Sequence, residues 1–440
     1  MSPTAVNGGA QPTVVPSTSR HLPAMRSTPF VLALMLFAAG PAAAQGTAAI
    51  NPPPGVMPVP DPTNLYSETA AGKFSPHVAG ALERIYVPNH KAHTVSVIDP
   101  ATLKVTHTFK VGLYPQHVVP SWDLKTLYVA NNAENSDKGS LTVVDPKTAK
   151  PGKTIPVDDP YNMYWTPDGK HAIVVAEAFK RLDFRDPQTM KLEFSIATPD
   201  CDGINHADFS IDSRTAFFTC EFNGSITKID LIERKVLGTI PLSRYFDRPD
   251  ALALVKTNLK TPKFVPDPKQ PGAEICVTPG MPQDVRFSPD GKTLYVADMM
   301  ADGVHVVDPQ SFKQYAFIPT GVGAHGLYPS RDGKLLYVAN RGSNYVHGKP
   351  KGKGSVSVVD FATGKVLKTW PVPGGGSPDM GNVSADGKHL WLSGRYDDVV
   401  YRFDTSSGAV DFIAVGKQPH GLAVWPQPGR YNLGHTGNLR

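Results

Sequence analysis

Ser288-Pro-Asp-Gly-Lys-Thr-Leu-Tyr-Val-Ala-Asp298, continuing to Gly303-Val-His-Val-Val-Asp308, decides the fold, because it recurs. Ser330-Arg-Asp-Gly-Lys-Leu-Leu-Tyr-Val-Ala-Asn340 leads to Ser355-Val-Ser-Val-Val-Asp360, and Ser384-Ala-Asp-Gly-Lys-His-Leu-Trp-Leu-Ser-Gly394 leads to Val399-Val-Tyr-Arg-Phe-Asp404. Earlier copies begin at Trp122, Thr166 and Ser210. In each unit a short apolar strand ends at an Asp-Gly type of turn, where Gly passes positive φ cheaply. A second strand rich in Tyr and Val follows, and a third ends on Asp. A fourth carries phrases such as Lys235-Val-Leu-Gly-Thr-Ile240 and Lys365-Val-Leu-Lys-Thr-Trp370. Four short strands at a period of about 40 residues describe a propeller blade.

The ends of the array fit together. The first unit starts at Arg84-Ile-Tyr-Val-Pro-Asn89 without an inner strand of its own. The last phrase, Gln418-Pro-His-Gly-Leu-Ala-Val-Trp425, is an inner strand with no blade after it. Joining them gives an all-β, seven-bladed β-propeller whose ring is closed by the C-terminal strand entering the N-terminal blade. Closure removes open sheet edges, which would otherwise invite aggregation. One longer insertion falls at about 242–280.

The Leu-Tyr-Val-Ala-Asn phrases ending at Asn131 and Asn340, and Val-Ser-Val-Val-Asp360, resemble the YVTN-repeat β-propeller family, the exported YncE-like propellers. The resemblance runs from about 84 to 425. It implies the fold and export. It implies no single function, since propellers host many.

The N-terminus agrees with export. Arg20 and Arg26 precede the apolar run Phe30–Gly40, and Pro41-Ala-Ala-Ala44 supplies a small-residue cleavage site before Gln45. Residues 1–44 therefore read as a signal peptide, with Met25 an alternative start. Residues 45–75, rich in Pro and Ala, read as a flexible arm. The propeller spans 76–430, and 431–440 read as a frayed C-terminal tail, from which His435 could fold back over a face. The expected location is periplasmic or secreted, and no segment of the mature chain is expected to span a membrane. A net charge of +5 over 440 residues, with no long basic run, argues against nucleic acid. Lys349, Lys351 and Lys353 sit in a Gly/Pro-rich loop tip. Gly374-Gly-Gly376 reads as a permissive turn, because no phosphate-loop lysine follows it. Three cysteines suit one disulfide and one free thiol. Cys201 with Cys220 is the leading pair, across the hairpin of the fourth blade, and Cys201 with Cys276 is the other. No Cys-x-x-Cys-His occurs, which excludes covalent c-type haem.

Each inner strand opens on a comparable polar phrase. In order, His117, Asn162, His206, Asp284, His325, Asp379 and His420 read as one ring around the channel mouth. Its four imidazoles and two carboxylates are candidate ligands for a divalent metal (Cu, Zn or Ca). Such residues can equally pin the turn by hydrogen-bonding backbone. A second ring, at the ends of the second strands, comprises Asn89, Asn131, Glu177, Glu221, Asp298, Asn340 and Gly394, followed by Arg395. Of these, Asn131, Glu177, Glu221, Asp298, Asn340 and Arg395, with Asn162, are candidate ligand-binding groups. Arg341 and Lys180 could add positive charge.

Without a nucleophile triad, the first functional reading is an exported binding or scaffold protein, taking a metal ion, a small ligand or a periplasmic protein on the mouth face as a monomer. The alternative is a metal-assisted lyase or hydrolase, as in propeller lactonases and streptogramin lyases, or the propeller subunit of a periplasmic redox system. There His325, His420, Asp284 and Asp379 would be ligands or bases.

Overall fold

The computed structural model describes residues 50–134, 138–257, 259–435 and 438–440. The signal segment lies outside them. Seven four-stranded antiparallel sheets are present among the described residues, with one additional two-stranded sheet. Blades 2 to 7 open on the inner strands Pro115–Pro120, Pro160–Trp165, Ile204–Phe209, Pro282–Phe287, Ala324–Pro329 and Pro378–Val383. In blade 1, Arg84–Asn89 pairs with Ala423–Trp425, and an isolated Asn89–Pro419 bridge extends the pairing. The ring is thus closed by the strand that the sequence singles out.

The repeated phrases map onto turns with a clear local cause. Ser288 Oγ donates to Asp290 Oδ1 at 2.6 Å, and the Lys292 and Thr293 amides bond to Asp290 and Ser288. Gly291 takes φ +68° between them. The Asp ending each third strand does similar work: Asp308 Oδ1 accepts from the Gln310 and Ser311 amides. Second strands such as Leu294–Asp298 are buried throughout, and each fully buried Val or Leu there contributes about 1.5–3 kcal/mol. Outermost strands are mostly exposed or half-buried. Five of them begin on lysine, at Lys104, Lys150, Lys235, Lys313 and Lys365, which protects an otherwise free edge.

Three segments differ from expectation or add to it. The arm is not free: Leu65 and Tyr66 are buried against Val285 and Phe287, and Tyr66 Oη donates to the Phe287 carbonyl at 2.7 Å. Burying these apolar groups outweighs the freedom that Pro and Ala would otherwise give. The insertion forms the short helix Pro249–Leu252 and the pair Phe264–Pro266 with Glu274–Cys276. It leaves a cleft of about 200 Å³ against blades 4 and 5, lined by Arg244, Tyr245, Cys276 and His305 among others.

The third is the C-terminal segment, which is docked rather than frayed. Asn432 Nδ2 donates to the Pro120 carbonyl, the Trp165 amide to the Leu433 carbonyl, and Asn438 Nδ2 to the Ala207 carbonyl. Arg440 pairs with buried Asp208 at 2.6 Å. These partners lie near the far ends of the inner strands of blades 2 to 4. The segment therefore enters the channel from the face opposite the mouth. Tyr431, Leu433 and Leu439 join the apolar clusters of the blades, and all three are buried.

Candidate functional site in the central channel

Strand register resolves the predicted ring into two neighbouring positions. Pro115, Pro160, Ile204, Pro282, Ala324 and Pro378 each pair with the last residue of the second strand, and Pro419 bridges Asn89 in the same way. A bulge or irregularity follows in each of these six strands. One residue on from the paired position stand Gln116, Tyr161, Asn205, Gln283, His325, Asp379 and His420. Two residues on stand His117, Asn162, His206, Asp284, Gly326, Met380 and Gly421. The sequence ring mixed the two tiers, because it aligned the phrases on their polar residue rather than on the opening residue that pairs with the second strand, from which the tier is counted.

Three imidazoles meet below this mouth. His117, His206 and His435 are buried, and each offers one ring nitrogen lying within 4.8 Å of the others. His117 Nδ1 and His435 Nε2 are 3.0 Å apart. His206 Nδ1 donates to Asn205 Oδ1 at 2.9 Å, which makes Nε2 the unprotonated nitrogen of the neutral ring. Neither His206 Nε2 nor His117 Nε2 has a hydrogen-bond partner. Thr219 Oγ1 donates to the same Asn205 oxygen at 2.6 Å and holds it in place. Gly421 makes room for the meeting: a Cβ there would lie 1.8 Å from His117 Nδ1.

Toward the mouth, the His420 ring centroid is 4.8 Å from that of His117. His420 Nδ1 donates to Asp379 Oδ2 at 2.5 Å, and His325 Nδ1 lies 3.2 Å from the other Asp379 oxygen. Burial holds His117, His325, His420 and His435 well below the usual imidazole range, and brings His206 down to about 3. The set is therefore neutral at neutral pH, the form in which imidazole binds metal.

The chain matches the model of the YncE-like β-propeller family over residues 48–231 and 274–428, the gap falling on the insertion. It belongs to the YncE-like β-propeller family. A curated relative, Antigen Lp49 of Leptospira interrogans, is 34% identical over 140 residues, an alignment that covers 30% of each chain. Hydrazine synthase of Kuenenia stuttgartiensis superposes with a TM-score of 0.52 at 21% identity, covering 79% of this chain and 96% of that one. A functionally unknown protein from Desulfotomaculum acetoxidans superposes with a TM-score of 0.55 at 15% identity, covering 78% and 99%. At these identities the two structures share the fold alone.

In this YncE-like propeller, the predicted metal candidates divide. His117 and His206 converge, His420, Asp379 and His325 form the adjoining layer, and Asp284 stands apart. Asp284 accepts from the Val285 and Leu327 amides and pairs with Arg286 at 3.0 Å. Burial raises its carboxyl to about 6. Asn162 is likewise engaged, with Tyr164 and the Met163 amide.

The second ring divides in the same manner. Asn131 and Asn340 turn into their own blades, donating to Ser140 and Thr142 and to Ser355 and Ser357. Asn89 does the same with Thr94 and Ser96. Asp298 accepts from the Met281, Met300 and Ala301 amides and contacts His305. Glu177, Glu221 and Arg395 stand one residue beyond the strand ends, in a tier with His90, Asn132, Met299 and Arg341. Glu221 accepts from Asn205 Nδ2 at 3.0 Å. Burial raises both glutamates, Glu177 the more. Lys180 is spent on Asp202 at 3.3 Å.

Cys201 and Cys220 are joined by a disulfide, and Cys276 is a buried free thiol. His435 is the ligand candidate that the ring pattern missed. Its signal in sequence is the alternation Tyr431, Leu433, His435, which marks an extended segment with one buried side.

Proposed function

We propose that the protein is an exported binding propeller that holds one transition-metal ion in its channel on His117, His206 and His435. The observation that carries this reading is the meeting of three buried nitrogens, two of the rings having an Nε2 without a partner. Nitrogens around a tetrahedral ion at about 2.1 Å lie roughly 3.4 Å apart, so modest rotation of the rings suffices. An all-imidazole set suits Zn or Cu and does not suit Ca, which takes oxygen ligands. Asn205 fixes the orientation of His206, as an outer-shell partner does in metal sites generally. The His420 ring adjoins the set, its centroid 4.8 Å from that of His117.

Export is supported by the signal-like N-terminus, the family resemblance and the disulfide, which suits an oxidising compartment. Among the described residues, no helix is long and apolar enough to cross a membrane. The test is elemental analysis of the protein purified from its own compartment without chelators. One Zn or Cu per chain, lost in His117→Ala and in His206→Ala, is the expected result. Metal-free protein that also fails to take up Zn or Cu at micromolar concentration sinks the reading.

A further inference from the structure

Two arginines face the mouth with little to bind. Arg341 and Arg395 follow the second strands of adjacent blades, 6 and 7, at equivalent positions. Arg341 is buried, at 4% exposure. Its guanidinium has five donors; it lies over the Tyr396 ring at 4.9 Å and makes few polar contacts. Nη1 lies 3.4 Å from the Met299 sulfur, a weak acceptor, and Nε lies 3.4 Å from Asp379 Oδ1 without forming a hydrogen bond. Arg395 reaches only Gln116 Oε1, at 3.5 Å, and its Nε is buried without a partner. Some half-buried arginines of this protein are better satisfied. Arg248, for example, makes three bonds of 2.7–3.0 Å to Asp250 and Asp267. Buried charged donors are costly to leave unmet, and Arg341, with the half-exposed Arg395 beside it, offers donors that suit an anionic group.

We propose that Arg341 and Arg395 form a clamp for the carboxylate of a small ligand entering from the mouth. The charges fit a single carboxylate. Two guanidiniums stand against Asp379, which leaves one positive charge uncompensated. Glu177 and Glu221, the other acids of this tier, are both pushed by burial toward their neutral forms. A planar carboxylate also matches the guanidinium fork. The Tyr161 hydroxyl, 3.5 Å from His420 Nε2, lies beside the same space. Access is from the mouth, where Arg395 and Glu177 keep partial exposure. The clamp adjoins the imidazole layer through Asp379 and His420, so the inference rests on the channel being a ligand site and supplies the chemical class of the ligand.

Calorimetric titration of the mature protein with oxalate, and separately with sulfate, tests the clamp. Metal content is measured on every sample. The expected result is saturable oxalate binding, weakened about tenfold or more in both Arg341→Gln and Arg395→Gln, with sulfate binding much weaker. Arg395→Lys, which keeps the charge and loses the fork, is expected to fall between. The variants are compared at matched metal content and with unchanged far-UV circular dichroism. Oxalate binding that ignores both substitutions, or no binding to metal-loaded and metal-free protein alike, overturns the clamp. Equal affinity for sulfate overturns the carboxylate assignment. Oxalate binding by protein that never takes up metal removes the metal reading and leaves the clamp standing.

Discussion

His117 Nδ1 lies 3.0 Å from His435 Nε2, a contact between residues 318 positions apart in the chain. One comes from the inner strand of blade 2 and the other from the segment that enters the channel from the opposite face. The histidine cluster is thus assembled by two structures that fold by different means, a repeat and a docked tail.

Removing the tail's contribution is the first prediction. His435→Ala leaves His117 and His206, and two imidazoles bind a divalent ion far less tightly than three. Affinity for Zn is expected to fall at least about tenfold, read by competition with a chromophoric chelator. Unchanged affinity would show that the tail histidine is not a ligand.

Gly421→Ala tests the same meeting from the other side. The new Cβ would overlap His117 Nδ1, so the ring must move away from His435. The expected outcome is loss of metal uptake together with a destabilisation of roughly 1–3 kcal/mol, the usual cost of overpacking. Denaturant melts and metal analysis on one preparation give both numbers.

Acid should unfold the metal-free protein early. His206 has its folded-state pKa depressed to about 3, whereas an unfolded histidine titrates near 6.5. Between these values the unfolded chain binds the proton and the folded chain does not, so stability falls as pH falls. The slope from one such histidine is about 1.4 kcal/mol per pH unit. His117, His325, His420 and His435 are shifted in the same direction by burial. The melting temperature of metal-free protein is expected to drop steeply from pH 6.5 to pH 4. A flat profile would contradict a neutral buried cluster.

The ion pair of Arg440 with Asp208 anchors the docked segment. Arg440→Ala leaves a buried carboxylate without its cation, a change expected to cost about 3 kcal/mol. Because the segment carries His435, metal affinity should fall as well, and Asp208→Asn in the same chain should restore part of the stability. Equilibrium unfolding of the single and double variants measures both effects.

Replacing Cys201 and Cys220 by Ala opens a covalent loop of 19 residues. Chain-entropy reasoning puts the loss at about 3 kcal/mol. The bond follows the hairpin logic by which the sequence pairs these two residues rather than Cys201 and Cys276.

The fold was readable because a blade carries its own punctuation. Ser288, Asp290 and Gly291 build one turn, Asp308 builds the next, and five further blades repeat the scheme with variations. The closing strand was readable because Gln418–Trp425 lacked a blade. The channel was only half readable. Periodicity placed His117 and His206 near the axis, yet a one-residue offset from the strand-opening residue decides which tier a side chain joins. His117 stands two residues after Pro115, whereas Asp379 and His420 stand one residue after Pro378 and Pro419, a difference that the polar phrases alone do not weigh. The same offset separates Asn131 and Asn340, bonded inside their blades, from Glu221 and Arg395, which face the mouth. The tail was harder still. Ten residues with two glycines look unstructured in isolation, and the described ones among them are held by partners such as Pro120, Asp208 and Trp165 that are distant in sequence.

Blade 1 is made from strands at both ends of the repeat array, and His435 follows its closing strand by only ten residues. A molecule whose ring is still open holds that histidine away from His117. The three-nitrogen set is therefore tied to formation of the seventh junction, and metal uptake at the proposed site would distinguish a finished propeller from an unfinished one.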